Sequence, residues 1–273
     1  MENKIINKIR SLNISNLDVY INEAKFGFSY IKKYCKNIRT NGKVLEVGCG
    51  SGILLYMLTQ KFDDLIFEGI EPHVSGFNSL LKINQIMKNT NISIKNVEYE
   101  EFNTRVKYDL IYCINVFEHV DSWRNFLLKI SKWLNKDGKI VILAPNYGFP
   151  YEPHFGIPII VNKSLTFSVF KKYIIKHEKN TDSQGNEGLW DSLNFVKKRQ
   201  VVNFIESQPS IMLIDDISII DFMINRLTKD KEFRKRQKLI SLISLFVQKN
   251  RLLKILKLFP MNLPYMKLEI RRV

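Results

Sequence analysis

A glycine-rich segment between a strand-like run and a helix-like run constrains this chain more than any other feature. The segment KVLEVGCGSG, Lys43 to Gly52, holds three of the chain's 12 glycines within five positions. The apolar run before it predicts a buried strand, and the following SGILLYMLTQKF predicts a helix. Glycines at such a turn allow left-handed backbone and close approach of a ligand to the positive helix end. The turn therefore suits a nucleotide-like ligand, with an unliganded tight turn as the alternative.

Strand-like and helix-like segments alternate through the first half of the chain. This alternation predicts βαβ crossovers and hence an α/β, doubly wound, mostly parallel sheet. The strand-like runs are KVLEV, DLIFEGIEP, ISIKNVEY, YDLIYCIN and KIVILAP, followed later by SIMLID and YMKLEIRR. Helices are expected over 51–62, 75–89, 121–135, 164–178 and near 196–206, with a turn at KDG before the fifth strand.

The same patterns divide the chain into three parts. Residues 1–40 are expected to form N-terminal helices, and 41–146 a cofactor-binding core. Residues 147–273 are expected to supply a substrate loop, a helical insertion before the last strand, and the last strands of the same domain.

Two carboxylates near the glycine turn indicate the charge of the ligand. Glu71 ends the second strand 19 residues after Gly52, where an acid can accept both hydroxyls of a ribose; an ordinary solvated strand-end carboxylate is the alternative. Glu46 precedes the first glycine by two residues, and a carboxylate there attracts a cation and repels a pyrophosphate. The glycines are also spaced G-x-G-x-G rather than G-x-G-x-x-G. Together these features favour a ligand with some positive charge and no phosphate.

The segment VLEVGCGSG resembles the first motif of class I S-adenosylmethionine-dependent methyltransferases of the methyltransferase 11/23 type. GIEPH, YDLIYCINVFEHV and LNKDGKIVILAPN continue the resemblance in the expected order, from about Gly42 to Asn146. The resemblance implies a Rossmann-like, seven-stranded sheet with an antiparallel last strand, here MKLEIRR. It also implies S-adenosyl-L-methionine as the cofactor.

The resemblance further implies which residues bind the cofactor. They are Glu46, Gly48, Cys49, Gly50, Gly52, Glu71, Pro72, Glu98 and Asn115. The glycine loop and Glu46 would hold the methionine part, Glu71 the ribose, and Asn115 would lie near the methionine end. The adenine partner in such enzymes is usually an Asp after the third strand, and this chain offers Glu98 instead.

Glu118 and His119 follow the fourth strand in the segment FEHV. Adjacent residues of a helix do not share a face, so the two are not expected to act as one pair, and a structural start to the next helix is the alternative reading. Quinone-pathway O-methyltransferases resemble this stretch and also have an acid three residues before the Glu, which suggests metal binding. This chain has Asn115 there, so no metal is expected.

The loop PNYGFPYEPHFGIP after the fifth strand holds the candidate catalytic base. Loops beyond the carboxyl ends of strands line the ligand crevice of open α/β sheets. On this loop His154 stands with an acid, Glu152, and two tyrosines, Tyr147 and Tyr151. An imidazole that is neutral near pH 7 can take a proton from a sugar or phenol hydroxyl. His154, Glu152 and His119 are the candidate catalytic residues, and a satisfied polar residue in a proline-stiffened loop is the alternative for His154.

Basic charge is concentrated towards the C-terminal end. The formal net charge is +15, and the segment from Arg226 onward carries +11 of it, from 14 Lys and Arg against three acids. Coding bias towards Lys is the alternative to a functional role for this charge.

The segment from Arg226 onward also contains an amphipathic helical pattern. Its apolar positions are Leu239, Leu242, Ile243 and Phe246, then Leu252, Ile255, Leu256 and Phe259. This stripe is expected to pack on its own domain or on a twin subunit in a homodimer. The more specific alternative is that it binds an anionic membrane surface. Nucleic acid is disfavoured because the aromatics are not interleaved with the basic residues.

The N-terminal segment and the cysteines bear on location. Met1 to Arg10 has no continuous apolar run, and no stretch reaches the roughly 18 apolar residues of a spanning helix. Cys35, Cys49 and Cys113 lack metal-type spacing and are expected to be buried thiols in a reducing cytoplasm. We therefore expect a cytoplasmic protein, with peripheral contact at the inner membrane face if the basic stretch binds lipid.

Three functions follow from these features. The leading hypothesis is methylation of a small or lipid-linked hydroxyl substrate, such as a sugar of a surface-glycan precursor in polysaccharide biosynthesis, because the loop after Asn146 and the basic stretch look like those of such methyltransferases. The second is an RNA methyltransferase, although NVFE stands where a proline–proline catalytic stretch would be expected. The third is a non-catalytic interaction protein, which the intact Glu46, glycines and Glu71 argue against.

Overall fold

The computed structural model describes residues 7, 9–11, 17–72, 83, 86–87, 92–180, 188–214 and 219–273. Within this part of the chain seven strands form one sheet, and two short strands form a separate hairpin. The strands are β1 Lys43–Val47, β2 Ile66–Ile70, β3 Ser93–Lys95, β4 Tyr108–Ile114, β5 Leu134–Pro145, β6 Tyr151–Glu152, β7 Ile157–Pro158, β8 Ile211–Ile214 and β9 Tyr265–Arg272.

The large sheet has the strand order β3-β2-β1-β4-β5-β9-β8. The strands β1 to β5 pair in parallel, whereas β9 runs antiparallel to both β5 and β8. The order reverses at β1, because β2 and β3 extend to one side of it and β4 and β5 to the other. These findings confirm the doubly wound, seven-stranded, mostly parallel sheet and the antiparallel last strand.

Helices cover both faces of the sheet. In the described residues they are α1 Leu17–Cys35, α2 Ile53–Thr59, α3 Trp123–Lys132, α4 Lys163–Asn180, α5 Leu189–Ser192, α6 Lys198–Glu206, α7 Ile219–Lys229, α8 Lys231–Arg236, α9 Lys238–Lys249 and α10 Leu253–Leu256, with a 3-10 turn at Pro260–Asn262. The N-terminal helix α1 and the helical insertion between β8 and β9 were expected from the sequence. The helix predicted over 75–89 falls almost entirely outside the described residues.

Alternate residues of the central strands enter two separate cores. Val44 and Tyr112 belong to the core shared with α1 and α2, whereas their neighbours Leu45 and Cys113 belong to the core shared with α3 and α6. This period of two is what a sheet buried on both faces requires. Cys35, Cys49 and Cys113 are free and buried, as expected.

The fifth strand begins earlier than the sequence indicates. A KDG turn was predicted before it, but β5 already pairs with β4 at Leu134 opposite Tyr108, and the next pair is Leu110 with Lys139. Residues 135–138 therefore bulge out of the sheet within the strand. Gly138 fits this bulge because an added Cβ would lie 2.7 Å from the carbonyl oxygen of Tyr108.

The carboxyl ends of the parallel strands position the candidate site. β1, β2, β4 and β5 end at Val47, Ile70, Ile114 and Pro145, at one edge of the sheet. The glycine loop, Glu71, the Glu118 turn and the loop that carries His154 all follow these ends directly. In open α/β sheets this edge, next to the point where strand order reverses, is where ligands bind.

Candidate functional site

The glycine loop after β1 has the left-handed backbone that its sequence predicts. Gly48, Gly50 and Gly52 have φ values of 72°, 51° and 74°. A Cβ on Gly48 would lie 2.4 Å from Cγ2 of Val116, so this position excludes a side chain for packing reasons. A Cβ on Gly50 would meet nothing within 4 Å. The loop therefore packs against the end of β4 at Gly48 and leaves open space at Gly50, where a ligand can approach the backbone.

Glu71 reaches the glycine loop from the neighbouring strand. Its Oε2 atom accepts a hydrogen bond from the backbone amide of Gly50 at 2.7 Å. Burial raises the pKa of Glu71 to about 7, and the hydrogen bond from Gly50 opposes this shift. The side chain thus lies on the loop where a ribose would have to be held, and it titrates in the neutral range.

Glu46 is buried beneath the loop, where the end of β1 faces both of its neighbours. It pairs with Gly69 of β2 and Tyr112 of β4, and its Oε2 accepts a hydrogen bond from the Tyr112 hydroxyl at 3.0 Å. Burial raises the pKa of Glu46 well above its ordinary value, the Tyr112 hydrogen bond opposes this, and the Glu71 charge adds to it. A cation bound nearby would stabilise the ionised form of both acids.

The other sequence-predicted cofactor residues occupy different surroundings. Cys49 is buried, and its amide donates to the carbonyl of Ile70 at 3.2 Å. Pro72 is half-buried after β2, next to Glu71. Glu98 is exposed after β3, and its carbonyl oxygen accepts hydrogen bonds from two amides further along the chain. These placements leave their proposed cofactor roles as predictions.

Asn115 adopts a left-handed backbone directly after β4, with φ of 55°. Its Oδ1 atom accepts a hydrogen bond from the hydroxyl of Tyr265, the first residue of β9, at 2.8 Å. Left-handed φ is uncommon for residues other than glycine, although Asn tolerates it better than most. Tyr265 therefore holds Asn115 at the edge of the sheet where the strands end.

Glu152 organises the loop that follows β5. It lies in the β6–β7 hairpin and is fully buried, and one oxygen accepts from the Phe155 amide at 2.7 Å. The other oxygen, Oε1, lies 3.1 Å from the His154 amide and 3.3 Å from the Tyr147 hydroxyl. The same atom lies 2.6 Å from Nδ1 of His154. This single carboxylate therefore fixes both the backbone of the loop and the orientation of the histidine ring.

His154 lies between two buried carboxylates. Nδ1 contacts Glu152, and Nε2 lies 3.8 Å from Oε1 of Glu118. Burial by itself lowers the pKa of His154, but the hydrogen bond and charge of Glu152, with the charges of Glu118 and Glu23, raise it above its ordinary value. The neighbouring carboxylates thus favour the imidazolium form, so the neutral ring that can accept a proton predominates only above this raised pKa.

Glu118 and His119 both face His154. They lie in a turn, residues 117–119, rather than in a helix. Glu118 is fully buried, with no hydrogen-bond donor found for either carboxylate oxygen among the described residues, and burial raises its pKa to about 7. The His119 ring centroid lies 5.3 Å from that of His154. The helix on which the two residues would point in different directions is not present, and whether they act as one pair stays a prediction.

The protonation of His119 is set by its surroundings. Burial and the charge of His154 lower the pKa of His119 to about 3, so its ring is neutral. Its Nδ1 lies 2.9 Å from the hydroxyl oxygen of Ser192 in α5. Ligand-type atoms of Glu118, His119 and His154 all lie within 4.8 Å of one another, a spacing that one divalent ion could bridge. The expectation of no metal remains a prediction.

The loop that carries His154, which we call the His154 loop, is anchored to the helical insertion. The Tyr151 hydroxyl donates to Oε1 of Gln237 at 2.8 Å, and Nε2 of Gln237 donates to the Pro153 carbonyl at 2.8 Å. Sequence reasoning missed Gln237 and Tyr265, and it gave Glu118 no catalytic role. Gln237 and Tyr265 are identified only by their long-range contacts. Glu118 could have been singled out from the sequence, because it is an acid that follows a strand end and no helix starts directly after it.

Comparison with known proteins gives this geometry a context. A family model described as a methyltransferase domain matches residues 23–192. An uncharacterised protein of Mycobacterium tuberculosis (strain ATCC 25618 / H37Rv) is 29% identical over 218 residues, which cover 79% of this chain and 73% of that protein. Pavine N-methyltransferase of Thalictrum flavum subsp. glaucum is 26% identical over 125 residues, which cover 44% of this chain and 35% of that enzyme. (S)-Coclaurine N-methyltransferase of Papaver somniferum is 24% identical over 143 residues, with 51% and 37% covered.

A solved structure matches along nearly the whole chain. The plantazolicin methyltransferase BpumL, in complex with a pentazolic desmethylPZN analog and SAH, gives a TM-score of 0.51 at 15% identity and covers 97% of this chain and 90% of that chain. A likeness at this level of identity shows the fold alone.

Proposed function

Since this chain belongs to the S-adenosylmethionine-dependent methyltransferases, as the match over residues 23–192 shows, we propose that it methylates a hydroxyl group of a small or lipid-linked acceptor. The observation that carries the acceptor proposal is the contact chain from Glu152 through His154 to Glu118. Methyl transfer to a hydroxyl needs a group that removes its proton, and this chain provides one beside the strand ends.

The residues at the ends of β1 and β2 fit S-adenosylmethionine. The cofactor has a ribose, a positive sulfur and no phosphate, and it supplies a methyl group together with its leaving group. Glu71 would hold the ribose hydroxyls, and the open space at Gly50 would let the cofactor approach the backbone of the glycine loop. Glu46 would offset the positive charge, because its burial makes an isolated carboxylate unfavourable without a cation.

His154 would act as the general base, and Glu152 would orient it. Glu152 contacts Nδ1, which leaves Nε2 as the atom that accepts the proton from the acceptor hydroxyl. Glu118, 3.8 Å from Nε2, would stabilise the imidazolium that forms. Neutral His119 would line the same pocket as a hydrogen-bonding group supported by Ser192. Since a positioned base typically contributes about 10² to 10⁴ in rate, the loop supplies a substantial part of the acceleration.

The acceptor that we favour is a sugar hydroxyl of a surface-glycan precursor. A half-buried histidine between two buried carboxylates suits deprotonation of a weakly acidic alcohol. A lipid-linked acceptor would bring the enzyme to the inner face of a membrane. A nucleic-acid acceptor is not favoured, because the groups that contact His154 are the carboxylates of Glu152 and Glu118, whose charge would repel a phosphate backbone.

An amine acceptor is the second candidate. The pavine and coclaurine relatives are N-methyltransferases by name. The same His154 could remove a proton from an ammonium group, and the buried acids around it would attract such a cation. Heteronuclear NMR of a ¹³C-methylated product distinguishes an O-methyl from an N-methyl carbon by its chemical shift.

The experiment that tests the proposed function is methyl transfer from ¹³C-labelled S-adenosylmethionine to a panel of sugars, phenols and amines. Wild-type protein should methylate members of one acceptor class, and turnover should persist in the presence of a chelator, because no step needs a metal. If a chelator abolishes turnover and a divalent ion restores it, Glu118, His119 and His154 bind a metal instead of transferring a proton.

A further inference from the structure

Helix α9 buries its small polar residues and exposes its large apolar ones. The residues that it buries are Ile240, Ser241, Ser244 and Val247. The exposed apolar residues are Leu239, Leu242, Ile243, Leu245 and Phe246. The expected packing on its own domain is not found for the α9 part of this stripe, because Leu242 and Phe246 are 66% and 61% exposed, whereas Leu252 and Leu256 do pack against a buried cluster. An amphipathic helix of a single globular domain normally has the opposite arrangement.

The exposed apolar character continues after α9. Leu258 and Phe259, which follow α10, are 74% and 60% exposed. We call the set Leu239, Leu242, Ile243 and Phe246 of α9 the outer apolar face. Solvent-facing groups of large apolar residues on this scale mark sites that bind another surface.

Basic side chains accompany the outer apolar face. Lys238, Lys249, Arg251 and Lys254 are exposed, and none of them forms an ion pair with a carboxylate among the described residues. Lys238 and Lys249 are eleven residues apart, which places them on one line along the helix, about 20° to 40° from Leu242. The apolar face thus carries uncompensated positive charge along its border.

The inner side of α9 contacts the loop that carries His154. Gln237, which directly precedes α9, is hydrogen-bonded to both Tyr151 and Pro153 of that loop. Ile240, in the first turn of α9, is buried in the same cluster as Tyr151 and Phe149. The outer apolar face lies on the opposite side of the helix, so a surface bound to it would be about one helix diameter, about 10 Å, from that loop.

We propose that the outer apolar face docks on the surface of an anionic lipid bilayer. Apolar side chains at one helix face enter the acyl boundary, and flanking Lys and Arg residues bind acidic headgroups. A second copy of this chain fits less well, because it would bring two faces with the same positive border together. In the described part of the chain, no helix has the length and hydropathy needed to cross a bilayer, so the contact is peripheral.

The proposal deepens the acceptor part of the proposed function. A bilayer held against the outer apolar face would lie about one helix diameter, about 10 Å, from the loop of His154, close enough for a hydroxyl on a lipid-linked headgroup to extend to it. The docking itself requires neither cofactor nor acceptor, so it can be measured separately.

The test is co-sedimentation of the full chain with vesicles of phosphatidylcholine alone or of phosphatidylcholine mixed with phosphatidylglycerol. The wild type should bind the anionic vesicles, and about 0.5 M salt should weaken this binding. The double variant Leu242→Glu/Phe246→Glu should lose at least about tenfold in affinity for the same vesicles. Met212→Glu is the matched control, since Met212 is as exposed as Leu239 but lies on β8, and it should bind as the wild type does.

The outcomes separate docking from the other readings. Cofactor binding by the double variant, measured by calorimetry, should be unchanged, which shows that the variant is folded. Absence of wild-type binding to anionic vesicles, or equal binding by the double variant, would overturn the proposal and leave methyl transfer untouched. A wild-type dimer in sedimentation velocity that the double variant converts to a monomer would assign the face to a second copy instead.

Discussion

The carboxylate of Glu71 and the amide of Gly50 are joined by a 2.7 Å hydrogen bond that links the end of β2 to the glycine loop after β1. The same carboxylate is the group assigned to the cofactor ribose. Its burial raises its pKa to about 7, so the protein has a group that titrates near neutrality at the proposed cofactor site. Cofactor binding should therefore depend on pH near neutrality.

Cofactor affinity should increase as pH rises through about 7. The raised pKa means that Glu71 is largely protonated below this pH, and a neutral carboxyl holds a sulfonium nucleoside less well than a carboxylate does. If binding requires the ionised form, affinity should fall by up to about tenfold per pH unit on the acid side. Calorimetric titration of S-adenosylmethionine at several pH values, with Glu71→Gln as the control, measures this slope. Equal slopes for the wild type and Glu71→Gln would assign the dependence to another group.

Substitutions of two loop glycines should have different effects. Gly48→Ala should destabilise the fold by about 1 to 3 kcal/mol, because the new Cβ would lie 2.4 Å from Val116 on left-handed backbone. Gly50→Ala should cost only about 1 kcal/mol, since its Cβ meets open space. The methyl group at position 50 should instead weaken cofactor binding. Urea unfolding and calorimetry separate the two effects, and a larger loss of stability in Gly50→Ala would contradict this account of the loop.

His154→Ala should retain cofactor binding and lose about 10² to 10⁴ in kcat. The loss follows from removing the group held between Glu152 and Glu118. His177→Gln is the control, because His177 lies on α4 and contacts the loop through the ring of Phe155. Steady-state kinetics on an acceptor that the panel of sugars, phenols and amines identifies measures the change. If the kcat of His154→Ala stays within about a factor of two of the wild-type value, His154 is not the base.

Glu152→Gln should move the acidic limb of the turnover profile to lower pH. Glu152 raises the pKa of His154, so replacing its charge lowers that pKa, and the neutral, proton-accepting ring persists at lower pH. The variant should also turn over more slowly, because the amide cannot reproduce all the hydrogen bonds that the carboxylate accepts. A profile of kcat against pH gives the shift, and a thermal melt confirms folding. An unmoved acidic limb would mean that His154 does not set it.

The strands of the large sheet and the glycine loop could be predicted from sequence because their signals are local, whereas the early start of β5 and the short β6–β7 hairpin were missed. The run KVLEV gave the bounds of β1, and the three glycines indicated left-handed backbone, which the structure has at all three. The convergence of Glu118 and His119 on His154 could not be predicted, because it depends on a turn after β4 and on a loop some thirty-five residues later.

The orientation of α9, with its apolar side towards solvent, also could not be predicted from local sequence patterns. Helical spacing identifies an apolar stripe but does not say which side of the helix faces the domain. In this chain the packing of Ile240 and Val247 against neighbouring helices decides the orientation, and Ser241 and Ser244 are buried with them. The contact between Gln237 and Tyr151 of the loop that carries His154 similarly depends on tertiary packing.

The most direct test of the account is calorimetric titration of S-adenosylmethionine into the wild type and Glu71→Ala, with the exposed Glu101→Ala as the matched control. The wild type and Glu101→Ala should bind alike, and Glu71→Ala should lose about ten- to a hundredfold in affinity, as expected for removal of hydrogen bonds to a charged group. Equal affinity of Glu71→Ala and the wild type would contradict the assignment of the cofactor to the glycine loop and the end of β2.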